Sequence, residues 1–478
     1  MNTLSQGSMI YPKLLFRIMI LSIIINAEIG YTQINNDHEI IATLKKDISF
    51  LASDSLMGRE SGTIYERMAA DYIIQRFQEC GLNPLPGMDS WEHVFIYYND
   101  FEVKKTDMQP DTFVNSAGYL YPIRYSASGK ASGRFQAINP YDSMPSDLSG
   151  KIAAFRPWHQ NDSARLDLGL VPDLYLTLRE VESRGAEAVV LYSYPGEPID
   201  YNHWMCPGND TLSIPVFFLN YATYPGFFNS WKQEFDFSVW VSRMRPDTAM
   251  NIVGYLNRNA EKTVVIGAHY DHIGMGYFGS RSEFLPDIHN GADDNASGVA
   301  TIIELARFLS SCDSLRHNYL FVAFGAEEKG LIGSRFFSGS QAFNDLDIHY
   351  MINFDMVGRM KKLRDKTIVM GTGTSKLFEP MLLDYPYKGR LCLFSSAWEG
   401  SDHVWFEQRK IPFLYFTTGL HSDYHKFSDD TRKINFKGMV RVLELSEYMI
   451  LRLDKIADIN YDVPEKVNMI RYLSVFLP

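Results

Sequence analysis

The second half of the sequence alternates short apolar runs with longer amphipathic ones, and this alternation limits the possible folds more than any other feature. Six runs have the length and composition of strands: "NIVGYL", "KTVVIGAHYD", "NYLFVAFGAEE", "IHYMINFDMVG", "KTIVMGTG" and "IPFLYFTTG". Three segments have helical spacing: "GVATIIELARFLSSC", "SKLFEPMLLDY" and "FKGMVRVLELSEYMILRLDKIA". Apolar strands that alternate with helices predict an α/β fold, a mostly parallel or mixed twisted sheet covered by helices on both faces.

The first half of the sequence predicts two further regions. Residues 37–117 contain the helical patterns "EIIATLKKDISFLAS" and "IYERMAADYIIQRFQECGL", and we expect them to form one domain with residues 246–478. Residues 118–245 contain short β-like runs and turns, interrupted by one helical segment, "DLYLTLREVESRG". This change of pattern predicts an inserted, β-rich domain.

The N-terminal residues are typical of a targeting segment. Lys13 and Arg17 precede the apolar stretch "IMILSIIINAEIG", which polar residues follow. This pattern predicts a secretory signal peptide over residues 1–32, and the run is short for a membrane span, although an uncleaved anchor is an alternative. We therefore expect export to a periplasm or to the outside of the cell, with no other contact with a membrane.

The charge balance argues against a nucleic-acid partner. The 478 residues include 57 acidic and 46 basic side chains, a formal net charge of -11, and no cluster of Lys or Arg stands out. A protein that binds a phosphate backbone needs such a cluster. We therefore expect no nucleic-acid partner.

Polar side chains collect where the predicted strands end. Ligand sites of parallel sheets lie beyond the carboxyl ends of the strands, so these side chains are candidates for one shared site. They comprise two imidazoles and six carboxylates: His269, Asp271, Asp293, Asp294, Glu327, Glu328, Asp355 and His425.

Imidazole and carboxylate side chains without cysteine match a borderline divalent metal such as Zn²⁺. They also outnumber the ligands of one tetrahedral ion, and a bridging carboxylate would build a site with two metals roughly 3.5–4 Å apart. Each element has a simpler interpretation: Asp293 or Asp294 as a helix N-cap, the histidines as hydrogen-bonded core residues, and the Glu327–Glu328 pair as a solvated turn. Convergence of several strand ends on the same ligand types favours the metal site.

Two other hydrolytic chemistries lack their motifs. No G-x-S-x-G occurs in the sequence, which disfavours an α/β-hydrolase serine nucleophile. "HEIIA", which begins at His38, ends in Ala42 where the helical zinc motif H-E-x-x-H needs a second histidine.

Five segments, in this order, resemble the M28 family of co-catalytic zinc peptidases: "GAHYDHIG", "NGADDNASG", "FGAEEKGLIGS", "NFDMVG" and "DYHKFSDDT". The resemblance extends from Asn251 to about Ile450, and "FLASDSLMGRESGT" with "AADYIIQRF" looks like the family's N-terminal lead-in. The insert, with "SGKIAAFRP", "ESRGAEAVVLYSY" and "SIPVFFLN", is similar to a protease-associated (PA) domain.

The resemblance implies two zinc ions per chain and one set of ligands. His269 and Asp355 match the ligands of one zinc, and Glu328 and His425 match those of the other. Asp294, four residues before the Gly of "DNASG", matches the aspartate that bridges the two ions.

The resemblance also assigns three residues that are not ligands. Asp271 matches the acid that orients His269, and Glu327 matches the general base. Tyr424 lies where some members of the family have a tyrosine that hydrogen-bonds the tetrahedral oxyanion.

The expected function is that of a secreted zinc aminopeptidase that removes N-terminal residues from peptides. A glutaminyl cyclase, which resembles the same fold with one zinc, is the nearest alternative. A carboxypeptidase and a non-catalytic receptor domain on this scaffold are two others.

Overall fold

Two β-sheets organise the structure, which is a computed structural model. It describes residues 37–98, 101–109, 120–123, 125–139, 144–156, 174–193, 212–220, 234–243, 246–276, 279–282, 287–360, 366–386, 390–397 and 400–465. The signal peptide predicted for residues 1–32 lies outside these residues. None of the helices in this part of the chain is long and apolar enough to cross a membrane.

The strands, in chain order, are β1 (Glu92–Tyr98), β2 (Phe101–Gln109), β3 (Leu120–Pro122), β4 (Gly129–Ala137), β5 (Lys151–Phe155), β6 (Ala188–Ser193), β7 (Val216–Asn220), β8 (Glu234–Arg243), β9 (Pro246–Leu256), β10 (Lys262–His269), β11 (Asn318–Phe324), β12 (Asp347–Phe354), β13 (Lys366–Met370), β14 (Arg390–Phe394) and β15 (Phe413–Thr417). The helices are α1 (37–51), α2 (Ile64–Glu79), α3 (Leu174–Ser183), α4 (Gly298–Ser310), α5 (Ile332–Ser338), α6 (Gln341–Asn344), α7 (Phe378–Asp384), α8 (Val404–Glu407) and α9 (Phe436–Leu453).

The first sheet has eight strands in the order β1-β9-β11-β10-β12-β15-β13-β14. Four neighbouring strands in its middle, β11, β10, β12 and β15, run parallel to one another. The pairs β1/β9, β9/β11 and β13/β15 are antiparallel, so the sheet is mixed. Because the four central strands are parallel, their carboxyl ends lie at one edge of the sheet, where ligand sites form.

Helices cover both faces of this sheet, as the sequence pattern predicts. Successive residues of β10 alternate between the two faces, with Val264 and Ile266 in one hydrophobic cluster and Val265 in the other. The first cluster also contains residues of α1, α2, α4 and α9, and the second contains residues of α5, α6 and α8. The predicted α/β architecture is confirmed.

The helix that leads into this core has defined ends. The hydroxyl of Thr63 accepts hydrogen bonds from the backbone N–H groups of Tyr65 and Glu66, each at 3.3 Å, and so caps the N-terminus of α2. Gly81, with φ of 78°, follows the last turn. The cap fixes where "IYERMAADYIIQRF" becomes helical.

The second sheet has seven strands in the order β2-β8-β4-β5-β6-β7-β3. Strands β4, β5, β6 and β7 are parallel neighbours, and α3 contributes Leu178 and Val181 to the cluster beside them. This sheet begins with β2, earlier in the chain than residue 118, because β2 pairs with β8. The similarity of the insert to a PA domain stays a prediction.

The chain passes between the two sheets along paired strands. In the first sheet Tyr98 pairs with Pro246, and in the second sheet Phe101 pairs with Arg243. The outgoing strands β1 and β2 thus run antiparallel to the returning strands β9 and β8 on both sides of the crossing.

Candidate metal centre

The four central parallel strands deliver the predicted site residues to one place. His269 is the last residue of β10, and Asp355 directly follows β12. Glu327 and Glu328 lie in the turn after β11, and His425 lies in the loop that follows β15. All five side chains are buried or nearly so, because the loops of neighbouring strands close over them.

Asp294 lies between the two histidines. It belongs to the turn Ala292–Ser297 that leads into α4. Its Oδ1 is 3.3 Å from Nε2 of His269, and its Oδ2 is 3.3 Å from Nε2 of His425. The remaining distances pair each histidine with one more acid: 3.5 Å from His269 Nε2 to Asp355 Oδ1, and 3.2 Å from His425 Nε2 to Glu328 Oε2.

These distances fit zinc. Two ligand atoms at about 2.0–2.2 Å from one tetrahedral ion lie about 3.3–3.5 Å from each other. The four nitrogen–oxygen distances fall between 3.2 and 3.5 Å. The buried Oδ2 of Asp294 has no hydrogen-bond donor among the described residues, which suits an oxygen that faces a cation. The residues can thus hold two ions that share Asp294.

Glu327 lies beside the first of these positions. Its Oε2 is 3.9 Å from Nε2 of His269. Burial raises the pKa of Glu327 well above its ordinary value, and the charges of Glu328, Asp402 and Asp355 raise it further, against the opposing effect of His269. A carboxyl with a raised pKa is suited to accept and return a proton near neutral pH.

Asp271 holds the turn that carries the two glutamates. Its carboxylate accepts hydrogen bonds from the backbone N–H of Glu327 at 3.0 Å and of Glu328 at 3.3 Å, and from the hydroxyl of Ser61 at 2.9 Å. Nδ1 of His269 lies 3.2 Å from the backbone carbonyl of Asp271 but 3.8 Å from its carboxylate. The closer of the two contacts to His269 thus comes from the main chain of Asp271, and the orienting role of its carboxylate stays a prediction.

Tyr424 packs against the second histidine. Its ring centroid is 3.9 Å from that of His425, and the guanidinium of Arg281 lies 4.9 Å from the tyrosine ring. Burial raises the pKa of Tyr424 well above its ordinary value, and the charges of Asp294 and Glu328 act in the same direction. The hydroxyl therefore keeps its proton and can donate a hydrogen bond.

The turn around Asp294 is held by its neighbours on both sides. The carboxylate of Asp293 accepts a hydrogen bond of 2.6 Å from the backbone N–H of Gly358. The side chain of Asn295 donates to the carbonyl of Phe354 at 2.9 Å and accepts from the backbone N–H of Met356 at 3.2 Å. These bonds attach the turn to the end of β12, where Asp355 lies.

Asp429 and Ser401 support the site, and the sequence analysis identified neither. The carboxylate of Asp429 accepts hydrogen bonds from the backbone N–H groups of Asp293 at 2.8 Å and Asp294 at 3.1 Å. The hydroxyl of Ser401 donates to Oδ2 of Asp355 at 2.8 Å and accepts from the amide of Asn353 at 2.8 Å. Asp355 is thereby left with Oδ1 toward His269.

Arg59 is a third residue that the sequence analysis missed. Its buried guanidinium donates to the carbonyls of Leu51 at 2.5 Å, Tyr270 at 2.8 Å, Asn290 at 2.6 Å and Gly291 at 3.0 Å. Burial lowers the pKa of Arg59 to about 10, so the side chain stays cationic at neutral pH. It ties the "DSLMGRESGT" loop to the two segments that carry His269 and Asp294.

His272 is a third imidazole in the site. Its Nδ1 lies 2.7 Å from Oε1 of Glu328 and 3.9 Å from Oδ2 of Asp294. The sequence analysis did not identify it. β10 ends at His269, so the alternation of side chains along a strand does not determine where residue 272 points. The segment "HYDHIG" with two histidines was the available signal.

Comparison with known proteins supports the same region of the chain. The model of the family described as Peptidase family M28 matches residues 251–450. Leucine aminopeptidase 1 of Leptosphaeria maculans is 34% identical over 199 residues, which cover 38% of this chain and 47% of that protein. The matches to curated relatives span between 27% and 47% of the relatives' length.

Solved structures share the fold. An aminopeptidase from Aneurinibacillus sp. strain AM-1 superposes with a TM-score of 0.54 at 20% identity, over 90% of this chain and 98% of that one. BSAP, a zinc aminopeptidase from Bacillus subtilis, gives 0.51 at 20% identity, over 88% and 98%. The region that matches peptidase family M28, residues 251–450, contains all five predicted ligands.

Proposed function

We propose that this protein is a zinc-dependent exopeptidase, an aminopeptidase that hydrolyses N-terminal residues of peptides at a site with two zinc ions. The observation that carries the proposal is the position of Asp294, whose two carboxylate oxygens each lie 3.3 Å from a different histidine. A carboxylate placed in this way can bridge two ions. The match of residues 251–450 to the M28 family and the relatives named leucine aminopeptidase support the choice of reaction.

The residues that would hold the ions divide into two sets that share Asp294. His269 and Asp355 belong to the first, and Glu328 and His425 belong to the second. When bound, zinc polarises a peptide carbonyl and lowers the pKa of water to near neutrality. The carboxylates concentrated here would repel one another without such cations.

Glu327 moves the proton in this proposal. Its carboxylate accepts a proton from the attacking water and passes it to the leaving amine, as general base and then general acid. Its partner Asp271 holds the backbone of the turn, so the carboxylate stays beside His269 through both steps.

Tyr424 stabilises the developing negative charge in this proposal. A tyrosine with a raised pKa stays protonated, so its hydroxyl can donate to the carbonyl oxygen as that oxygen becomes anionic. The ring is held against His425, which limits where the hydroxyl can go.

Metal analysis of the purified protein, combined with a substrate screen, tests the proposal. We expect two zinc ions per chain and hydrolysis of peptides with a free amino terminus, with N-acetylated versions of the same peptides left intact. One zinc per chain with formation of pyroglutamate from N-terminal glutamine would instead indicate a glutaminyl cyclase. Release of C-terminal residues from N-acetylated peptides would indicate a carboxypeptidase, and no turnover by the zinc-loaded protein would indicate a binding domain.

Export is also proposed, on the N-terminal sequence alone. Expression of the full chain with a C-terminal tag in a bacterial host, followed by fractionation and N-terminal sequencing, tests it. We expect a shortened protein outside the cytoplasm. A full-length protein that stays in the cytoplasm would contradict this.

A further inference from the structure

Glu328 lies between two imidazoles, although the proposed zinc site needs only one of them there. Nδ1 of His272 is 2.7 Å from Oε1 of Glu328, and Nε2 of His425 is 3.2 Å from Oε2. His272, Asp294 and Glu328 are also close enough together to hold an ion. The structure therefore offers two histidines for the second zinc, and their distances distinguish them.

Donor separations favour His425 as the ligand. Atoms bound to one tetrahedral zinc lie about 3.3–3.5 Å apart. His425 Nε2 lies within 0.1 Å of this range toward both Asp294, at 3.3 Å, and Glu328, at 3.2 Å. His272 Nδ1 is too close to Glu328, at 2.7 Å, and too far from Asp294, at 3.9 Å. The shorter distance is that of a hydrogen bond from N–H to a carboxylate.

We propose that His272 is a positioning residue, which donates a hydrogen bond from Nδ1 to Oε1 of Glu328 and leaves Oε2 for the second zinc. This inference rests on the proposed two-zinc function and deepens it. Glu328 then binds zinc through one oxygen, on the side of His425. A ligand held at its other oxygen keeps its orientation when the ion is absent, so the ion finds the site already formed.

The surroundings of His272 fix its ring. Its backbone N–H donates to the carbonyl of Arg59 at 3.3 Å. The ring packs against Gly291, where an added Cβ would lie 2.6 Å from Cδ2 of His272, and it meets the ring of His425 edge-on at 5.7 Å. The contacts with Gly291 and His425 restrict the position of the ring.

The second ring nitrogen agrees with this proton assignment. Nε2 of His272 is buried and has no hydrogen-bond partner among the described residues. Burying an N–H group without an acceptor costs more free energy than burying an unprotonated ring nitrogen without a donor. The proton therefore belongs on Nδ1, where the carboxylate of Glu328 can only accept it.

Two substitutions separate positioning from ligation. Asparagine places its amide nitrogen near the position of Nδ1, so His272→Asn keeps the donor, whereas His272→Leu removes it. We expect His272→Asn to bind the second zinc nearly as tightly as the wild type. In His272→Leu that affinity should fall about 10–100-fold, the usual effect of losing a group that orients a metal ligand. Zinc titration against a chromophoric chelator measures it.

His317 provides a matched control, because its Nδ1 also faces a carboxylate, that of Asp454 at 3.3 Å, outside the metal centre. His317→Leu should leave both zinc affinities unchanged. A loss of zinc in this variant as large as that in His272→Leu would show that general destabilisation, and not positioning, explains the result, and would overturn the inference.

Zinc K-edge absorption of the wild type gives a readout that needs no variant. With two zinc ions bound, we expect an average of one imidazole per zinc, from His269 and His425. An average of one and a half, which falls to one in His272→Asn, would make His272 a ligand and overturn the inference. One zinc per chain at saturation would overturn the inference and the proposed function together, whereas two zinc ions without peptide hydrolysis would overturn only the function.

Discussion

The backbone N–H of Glu327 donates a hydrogen bond of 3.0 Å to the carboxylate of Asp271. Asp271 also presents its own carbonyl 3.2 Å from Nδ1 of His269. Asp271, which is fully buried, therefore holds both the proposed base Glu327 and the proposed zinc ligand His269.

Asp271→Asn should weaken catalysis without removing the site. Asparagine keeps the backbone carbonyl that faces His269 but offers one acceptor oxygen where the carboxylate offers two, so the turn of Glu327 and Glu328 loses a partner. We expect kcat/KM to fall about 10–100-fold. Steady-state kinetics with parallel zinc analysis measures this, and Asp313→Asn, at an exposed position, is the control. Full activity in Asp271→Asn would contradict the role.

Glu327→Gln should retain zinc and lose turnover. The amide is close in size to the carboxylate but cannot accept the proton of water, so kcat should fall by ~10²-fold or more. Zinc content and kcat are measured on the same preparation, with Glu92→Gln as a control in a salt bridge with Arg67 on the surface. Near-normal turnover of a zinc-loaded Glu327→Gln protein would refute the assignment.

Arg59→Gln should lower both stability and zinc affinity. The substitution leaves several buried carbonyls without their donor, which costs about 3 kcal/mol or more of the free energy of unfolding. Arg258 makes a comparable set of bonds, to the carbonyls of Leu309, Ser310 and Cys312 at the end of α4. Urea unfolding and zinc titration of both variants test this: Arg258→Gln should lose stability alone. Unchanged zinc affinity in Arg59→Gln would limit Arg59 to a structural role.

Glu447 should make stability depend on pH. Burial, with the charges of Glu304 and Glu444, raises its pKa to about 7 from an ordinary value of 4.5. Between pH 4.5 and pH 7 the folded state therefore holds a proton on Glu447 that the unfolded state has lost. The stabilisation that this proton gives the folded state is complete below about pH 4.5 and is lost as pH rises through about 7. Glu447→Gln stays neutral, so relative to the wild type it should gain up to about 3 kcal/mol across this interval.

Urea unfolding across this pH range checks the prediction for Glu447. Glu379→Gln, at an exposed position, is the control and should not change the slope of stability against pH. Parallel curves for the wild type and Glu447→Gln would show that Glu447 ionises at the same pH in the folded and unfolded states.

The sequence predicts the central strands well because burial on both faces makes them continuous apolar runs. All seven residues of β11 are buried, and the predicted run "NYLFVAFGAEE" begins with this strand, whereas its last four residues lie in the turn that follows. The edge strand β1 was missed, since it alternates buried Phe95 with exposed Val94 and Ile96 and includes polar residues. β14, at the opposite edge, is also short and only partly buried. Edge strands have weaker patterns because one side has no neighbour.

Site residues that directly follow a strand could be predicted from the sequence, whereas several site residues in the longer loops could not. Asp355 follows β12 immediately, so its position is set by the sheet. Arg59 and Ser401 lie in loops without any periodic pattern, and their roles depend on contacts with residues more than 40 positions away. Local sequence carries no signal for such contacts.

The way in which the chain passes between the two sheets along paired strands determines where insertions and deletions can be accommodated. The segment that forms the second sheet leaves and rejoins the first sheet at neighbouring positions, marked by the Tyr98–Pro246 and Phe101–Arg243 pairs. The two strands of the first sheet that it connects, β1 and β9, are therefore adjacent whatever the length of the segment between them. The entropy of closing a loop grows slowly with its length once the ends are fixed. Insertions and deletions in the second sheet's segment can therefore be accommodated without moving the strands of the first sheet, which carry the candidate metal centre.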